Sequence, residues 1–124
     1  CGEGQCGACM VLLDGEPFPA CTVSAGSAEG HEVVTIEGIA RDGHLHPLQA
    51  AFIEEGAMQC GFCTPGMIVG GLALLRRNPN PSEVEIARGM QRHICRCGIY
   101  PRVVRAVRAA ALAMYGTGPS GMAR

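Results

Sequence analysis

Two short runs decide how this chain is read: Gln59-Cys60-Gly61-Phe62-Cys63-Thr64-Pro65-Gly66-Met67 and His93-Ile94-Cys95-Arg96-Cys97-Gly98-Ile99-Tyr100-Pro101. Each sets a pair of cysteines just ahead of a proline that can open a helix, because the N–H that proline lacks would have no partner in a first turn anyway. The two pairs are placed alike, which implies an approximate two-fold arrangement of helix starts around four thiols. A helix N-terminus behaves like roughly half a positive charge and stabilises a nearby anion by about 0.3–2 kcal/mol. Two such ends aimed at one place suit an anionic iron–sulfur centre. Taken alone, the spacing also permits a structural zinc site.

Working outward, the flanking sequence is helical. Pro47 opens a helix on which Leu48, Ala51 and Phe52 fall at helical spacing up to Gly56. Thr64 as N-cap and Pro65 as first residue start a second, apolar from Met67 to Leu75 and stopped by Asn78-Pro79. Ser82-x-x-Glu85 is a capping box that opens a third, expected to reach Arg92. Pro101 opens a fourth, through Val103, Val104, Val107, Ala111 and Met114. Short connections between four helices predict a small bundle over residues 41–115. Gly70-Gly71 inside the second helix lowers its propensity and points to close helix contact. Residues 116–124 are small and glycine-rich, and a loose tail is expected there.

The first forty residues have a different character, read as loop and sheet. Met10 to Leu13 and Phe18 to Val23 are extended runs on either side of Asp14-Gly15, a strong hairpin signal, and Val33 to Ile36 reads as a further strand. Ahead of the hairpin stands Cys1-Gly2-Glu3-Gly4-Gln5-Cys6-Gly7-Ala8-Cys9, with Cys21 following it. Cys-x4-Cys-x2-Cys with a later fourth cysteine is the spacing of plant-type [2Fe-2S] ferredoxins. A loop that wraps a cluster brings backbone N–H groups close to the sulfurs, and Gly2, Gly4 and Gly7 supply the backbone freedom this needs. Zinc more often uses two separated cysteine knuckles than one crowded glycine loop.

Composition agrees that something besides side-chain packing holds the chain together. It has 124 residues, no tryptophan, 4% aromatics, 18 glycines and 8 cysteines, so disulfides or metal centres are the candidate staples. Close Cys-x2-Cys and Cys-x-Cys pairs favour metal. A net charge of -1 gives no global field for nucleic acid or anionic lipid. The run Met67 to Leu75 is far short of the roughly 20 residues that span a bilayer, so no membrane insertion is expected. A chain that opens at Cys1, inside a ligand loop, is expected to lack the segment before it; a processed lipoprotein, whose mature first residue is cysteine, is the competing reading.

The two runs quoted at the outset, with the glycine loop and Cys21, closely resemble the iron–sulfur small subunits of the xanthine oxidase family of molybdenum hydroxylases, in the right order over about residues 1–115. The resemblance implies an α+β chain: a ferredoxin-like β-grasp domain over residues 1–40, truncated at its N-terminal side, then a four-helix [2Fe-2S]-binding bundle over 41–115. It assigns one cluster to Cys1, Cys6, Cys9 and Cys21, and a second to Cys60, Cys63, Cys95 and Cys97. It implies that the second faces a molybdopterin cofactor in a large partner subunit, that Gln59 hydrogen-bonds the pterin, and that Cys97 both binds iron and lies beside the pterin amino group. Substrate would be oxidised in that partner, and electrons would pass through the helical cluster to the ferredoxin-like one and on to a flavin subunit or a cytochrome. Cluster assembly implies the cytoplasm, with the periplasm possible by export with a partner. Met10 and Ile99 depart from the family pattern, standing where threonine is frequent, which bears on packing and not on ligation.

His31, His44, His46 and His93 do not fit a Rieske pattern, since eight thiols already complete both sets, and turn or surface roles are expected for them. Arg102, Arg105 and Arg108 form a stripe on the last helix, and Arg76 and Arg77 end another, read as solvated faces or a docking surface. A free-standing ferredoxin-like carrier and a zinc-stapled structural module are the alternative functions.

Overall fold

The structure is a computed structural model, and it describes residues 1–116. Apart from Gly116, the expected tail falls outside the described residues. Asp14 and Gly15 both adopt positive φ, 51° and 84°, the two-residue turn whose twist matches that of paired strands. They join β1 (Met10–Leu13) to β2 (Glu16–Pro19), antiparallel, with Leu13 opposite Glu16 and Met10 opposite Pro19. A two-residue β3 (Val33–Val34) pairs antiparallel with the other side of β1, giving the order β2-β1-β3. Asp14 fastens this edge: one carboxylate oxygen accepts the Glu32 N–H at 2.9 Å and the other pairs with His31.

The sheet is shorter than the extended runs in the sequence. Pro17 and Pro19 confine β2 to an edge, since neither can donate to a further strand. Past Pro19 the chain turns through a 3-10 helix (Ala20–Thr22), where the Thr22 hydroxyl donates to the Pro19 carbonyl at 3.0 Å. The expected strand from Val33 to Ile36 stops at Val34, and Ile36–Gly38 form another 3-10 turn. Residues Ala25–Ala28 form a short helix, α1, capped by the Ser24 hydroxyl. Its Ala-Gly-Ser-Ala sequence has no apolar period to announce it.

The helical half follows the sequence more closely. α2 (Pro47–Glu54) is capped by His46, whose Nδ1 accepts the Leu48 N–H at 3.1 Å while Gln49 accepts the His46 N–H. α3 (Thr64–Arg77) begins one residue earlier than expected: its N-cap is Cys63, and Pro65 is its second residue. α4 (Glu83–Gly89) has both arms of the Ser82/Glu85 capping box and ends short of Arg92. α5 (Tyr100–Tyr115) takes in Tyr100 ahead of Pro101.

α3 is the centre of the molecule, with Met67, Val69, Leu72 and Leu75 buried and packing contacts to α2, α4, α5, β1 and β2. Met10 and Leu12 from β1 join the same core, so sheet and helices share one apolar interior. Gly71 is where helices crowd: a Cβ there would lie 3.2 Å from Leu48 and 3.5 Å from Val107. The arginine stripe of α5 is not simply solvated. Arg102 donates to the Gly56 carbonyl, Arg105 pairs with Glu55, and Arg108 donates to Asn80 and the Pro81 carbonyl, tying α5 to the end of α2 and to the turn before α4. The described residues therefore form a mixed α/β chain with a three-stranded sheet and five α-helices.

Candidate metal centres

The first cysteine set lies on an open loop that ends at β1. Gly2, Gly4 and Gly7 all have positive φ, between 71° and 76°, which turns successive N–H groups inward. Gly4 N–H donates to the Cys21 sulfur at 3.2 Å, Gln5 N–H to Cys1 at 3.4 Å, Ala8 N–H to Cys6 at 3.5 Å and Cys21 N–H to Cys9 at 3.4 Å. Every sulfur of the set thus receives at least one backbone donor. Such donors favour thiolate over thiol. The Cys6 thiol is lowered chiefly by the Ala8 N–H. For Cys9 burial works in the opposite direction, but the Cys21 and Ala20 N–H groups and the Cys21 thiol outweigh it, and the thiol is lowered.

The second set is built on helix ends. Cys60 and Cys63 precede and cap α3; Cys95 and Cys97 precede α5. Tyr100 holds the second of these segments, its hydroxyl accepting the Cys95 N–H at 2.7 Å and donating to the His93 carbonyl at 3.4 Å. Cys63 is buried, and burial followed by the neighbouring Cys95 pushes its thiol up to about 11. Loss of solvent acts upward on Cys95 too, but N–H groups at Ile99, Cys97 and Gly98, together with the Cys63 thiol, bring it down. The Cys60 backbone favours the Cys97 thiolate, yet contact with the Cys60 thiol and loss of solvent raise Cys97 overall.

The donor set, eight thiols in two groups of four, is of the kind that two-iron clusters use. Within each set the thiols lie close enough to act on one another: Cys9 on Cys21, Cys63 on Cys95 and Cys60, and Cys97 on Cys60 and Cys95. A [2Fe-2S] cluster takes two thiolates on each iron, whereas a structural zinc draws four to one centre.

The two sets abut. A cavity of about 400 Å³ is lined by Cys1 and Cys6 from one and by Cys60, Cys63 and Cys95 from the other. The Ile94 N–H donates to the Cys6 carbonyl at 2.9 Å. A Cβ on Gly66, in the first turn of α3, would run into the Gly7 carbonyl, so the loop lies directly on that turn. Gln59 is exposed beside Cys60, which meets Cys97, so the expected pterin-side residues share one edge of the molecule. Phe62, 86% exposed, and exposed Ile94 line the cavity beside Cys60 and Cys95.

Sequence reasoning missed one residue here. His93, expected in a turn or at the surface, is buried. The signal was available in its place two residues before Cys95, but its contacts, Gly7 and Gly70, are distant in sequence.

The description "[2Fe-2S] binding domain" matches residues 35–108, a span that includes Cys60, Cys63, Cys95 and Cys97. The nicotinate dehydrogenase small FeS subunit of Eubacterium barkeri is 47% identical over 108 residues, covering 87% of this chain and 69% of that protein. Against a probable xanthine dehydrogenase subunit of Bacillus subtilis, also 47% identical, the chain covers 60% of the relative's length. Among solved structures, quinoline 2-oxidoreductase from Pseudomonas putida superposes with a TM-score of 0.87 at 39% identity, over 91% of this chain and 71% of that one. The aldehyde oxidoreductase of Desulfovibrio desulfuricans gives 0.86 at 48% identity, over 92% of this chain but 13% of that one.

Proposed function

The chain belongs to the [2Fe-2S] binding domain family, as an iron–sulfur subunit of oxidoreductases of the xanthine oxidase type, and from that premise we propose that it is the electron-transfer subunit of a molybdenum hydroxylase. In this reading electrons come from a molybdopterin centre in a large partner subunit, pass by way of two [2Fe-2S] clusters, and leave to a flavin subunit or a cytochrome. Residues 1–40 form a ferredoxin-like domain that holds one cluster on Cys1, Cys6, Cys9 and Cys21. Residues 41–115 form a four-helix domain that holds the other on Cys60, Cys63, Cys95 and Cys97. When bound, the clusters supply one-electron redox capacity.

The observation that carries the reading is the meeting of both thiol sets at one cavity, with Ile94 hydrogen-bonded to Cys6. A structural staple has no need of adjacent sites, whereas a relay does. The chain's own residues hold the thiols close within each set, direct backbone N–H groups at the sulfurs, and keep Gln59 and Cys97 at the edge offered to the partner's pterin. Exposed Phe62 and Ile94 at the cavity beside Cys60 support burial of that surface against the large subunit. No described helix is long and apolar enough to cross a membrane; we place the complex in the cytoplasm, where clusters are assembled, with joint export to the periplasm as the alternative.

Metal analysis of the purified complex tests this. Iron and acid-labile sulfide in equal amounts, with two irons for each cysteine set and no zinc, are expected. Stoichiometric zinc without iron would replace the relay with a structural module.

A further inference from the structure

His93 is the buried polar side chain that the electron-transfer reading leaves without a task. It is 3% exposed and stands between Arg92 and Ile94 on the segment that leads into Cys95. Its ring fills the space between two glycines on different elements. A Cβ on Gly7 would lie 2.7 Å from Nδ1 and 3.1 Å from the His93 Cα, and one on Gly70 would run into Nε2 and lie 2.9 Å from Cε1. A Cβ would be too close at both places, so neither backbone has room for a side chain while the ring is there. Nδ1 is buried without a well-aligned hydrogen bond, and the loop group it faces is the Gly7 backbone.

The ring spans this gap from Nδ1 to Nε2. One turn earlier on α3 the same loop rests directly on Gly66, so a smaller residue at 93 would leave the loop free to pivot about that contact. We propose that His93 is a positioning residue, a spacer between Gly70 of α3 and Gly7 of the Cys6–Cys9 loop that sets where the first cysteine set lies relative to the second. The inference rests on the two-cluster reading and deepens it: the segment carrying Cys95 also fixes the neighbouring site.

The test uses the intact complex, reduced with dithionite, and reads the magnetic interaction between the two clusters by electron paramagnetic resonance together with iron content. Wild-type protein should give two signals with a mutual splitting; a single signal would overturn the two-cluster reading and this inference with it. Given two signals, His93→Ala should change the splitting and lose iron from the first site, while the second signal persists. His93→Gln, whose longer amide reaches toward the Nε2 position that meets Gly70, should hold the splitting nearer the wild-type value than His93→Ala does. Ile86→Ala, a buried position on cysteine-free α4, should lower the melting temperature and leave the splitting alone. Were His93→Ala to reduce stability as Ile86→Ala does, with splitting and iron content unchanged, His93 would be core filler only. If His93→Ala does not accumulate, Gly70→Ala presses on the ring at Nε2; it should shift the splitting, and an unchanged splitting overturns the inference.

Discussion

The two cysteine sets have the same ligands but hold them by different means. The first rests on local backbone: positive-φ glycines turn N–H groups onto exposed or half-buried sulfurs. The second rests on the global fold: its thiols sit at the ends of α3 and α5, the first of which is the most buried element of the molecule. The first set should therefore be sensitive to single glycines and indifferent to distant core changes that leave the protein folded. The second should survive or fail with the helical core.

The largest effect is expected where that core is cut. Leu75→Ala removes a fully buried α3 side chain and should cost about 2–5 kcal/mol, read by denaturant unfolding, with the second site lost along with the fold. Selective loss of the first site in this variant would break the comparison. Gly7→Ala should do the reverse. Its φ of 76° is unfavourable for alanine and its Cβ would press on Arg92 and His93, a cost of about 1–3 kcal/mol. Iron of the first site should fall while that of the second stays. Ser82→Ala removes one arm of the α4 capping box and should cost about 1 kcal/mol without changing the iron content of either site.

The smallest effect is a pH dependence confined to the helical half. His46 caps α2 by accepting at Nδ1, which requires the neutral ring, and burial first, then Arg76, lowers its folded pKa. The folded state thus resists protonation more than the unfolded state does. The stability His46 contributes is fully present above about pH 6.5, the unfolded value, and is lost as pH falls from there through the lowered folded value. His46→Asn keeps an acceptor that does not titrate, so melting curves between pH 5 and 7.5 should lose the His46 part of the slope. His93 is also lowered by burial, and its part should remain. An unchanged slope would remove His46 from the account.

Much of this was legible before the fold was known, and the exceptions share a cause. Asp14-Gly15, Ser82-x-x-Glu85 and the prolines at helix starts act over a few residues, so the turn, the capping box and the four longer helices stand near where the sequence puts them. The strands came out shorter because pairing partners, not the run of apolar residues, decide where a strand ends: β3 finds only Leu12 and Leu13 opposite it. The eight thiols fell into two sets by spacing alone. That the sets meet at one cavity, that Gly66 receives the first loop, and that His93 is buried between Gly7 and Gly70 are long-range facts with no local signature. The α5 arginines make the same point, since their partners Glu55, Gly56, Asn80 and Pro81 belong to other elements.

The central claim is that one chain carries two unlike [2Fe-2S] sites that can be removed one at a time. Electron paramagnetic resonance of the dithionite-reduced complex, compared among wild type, Cys9→Ser and Cys63→Ser, tests it directly. Two distinct signals in wild type are predicted, with one lost in Cys9→Ser and the other in Cys63→Ser. A single signal, or the loss of both on either substitution in folded protein, would contradict it.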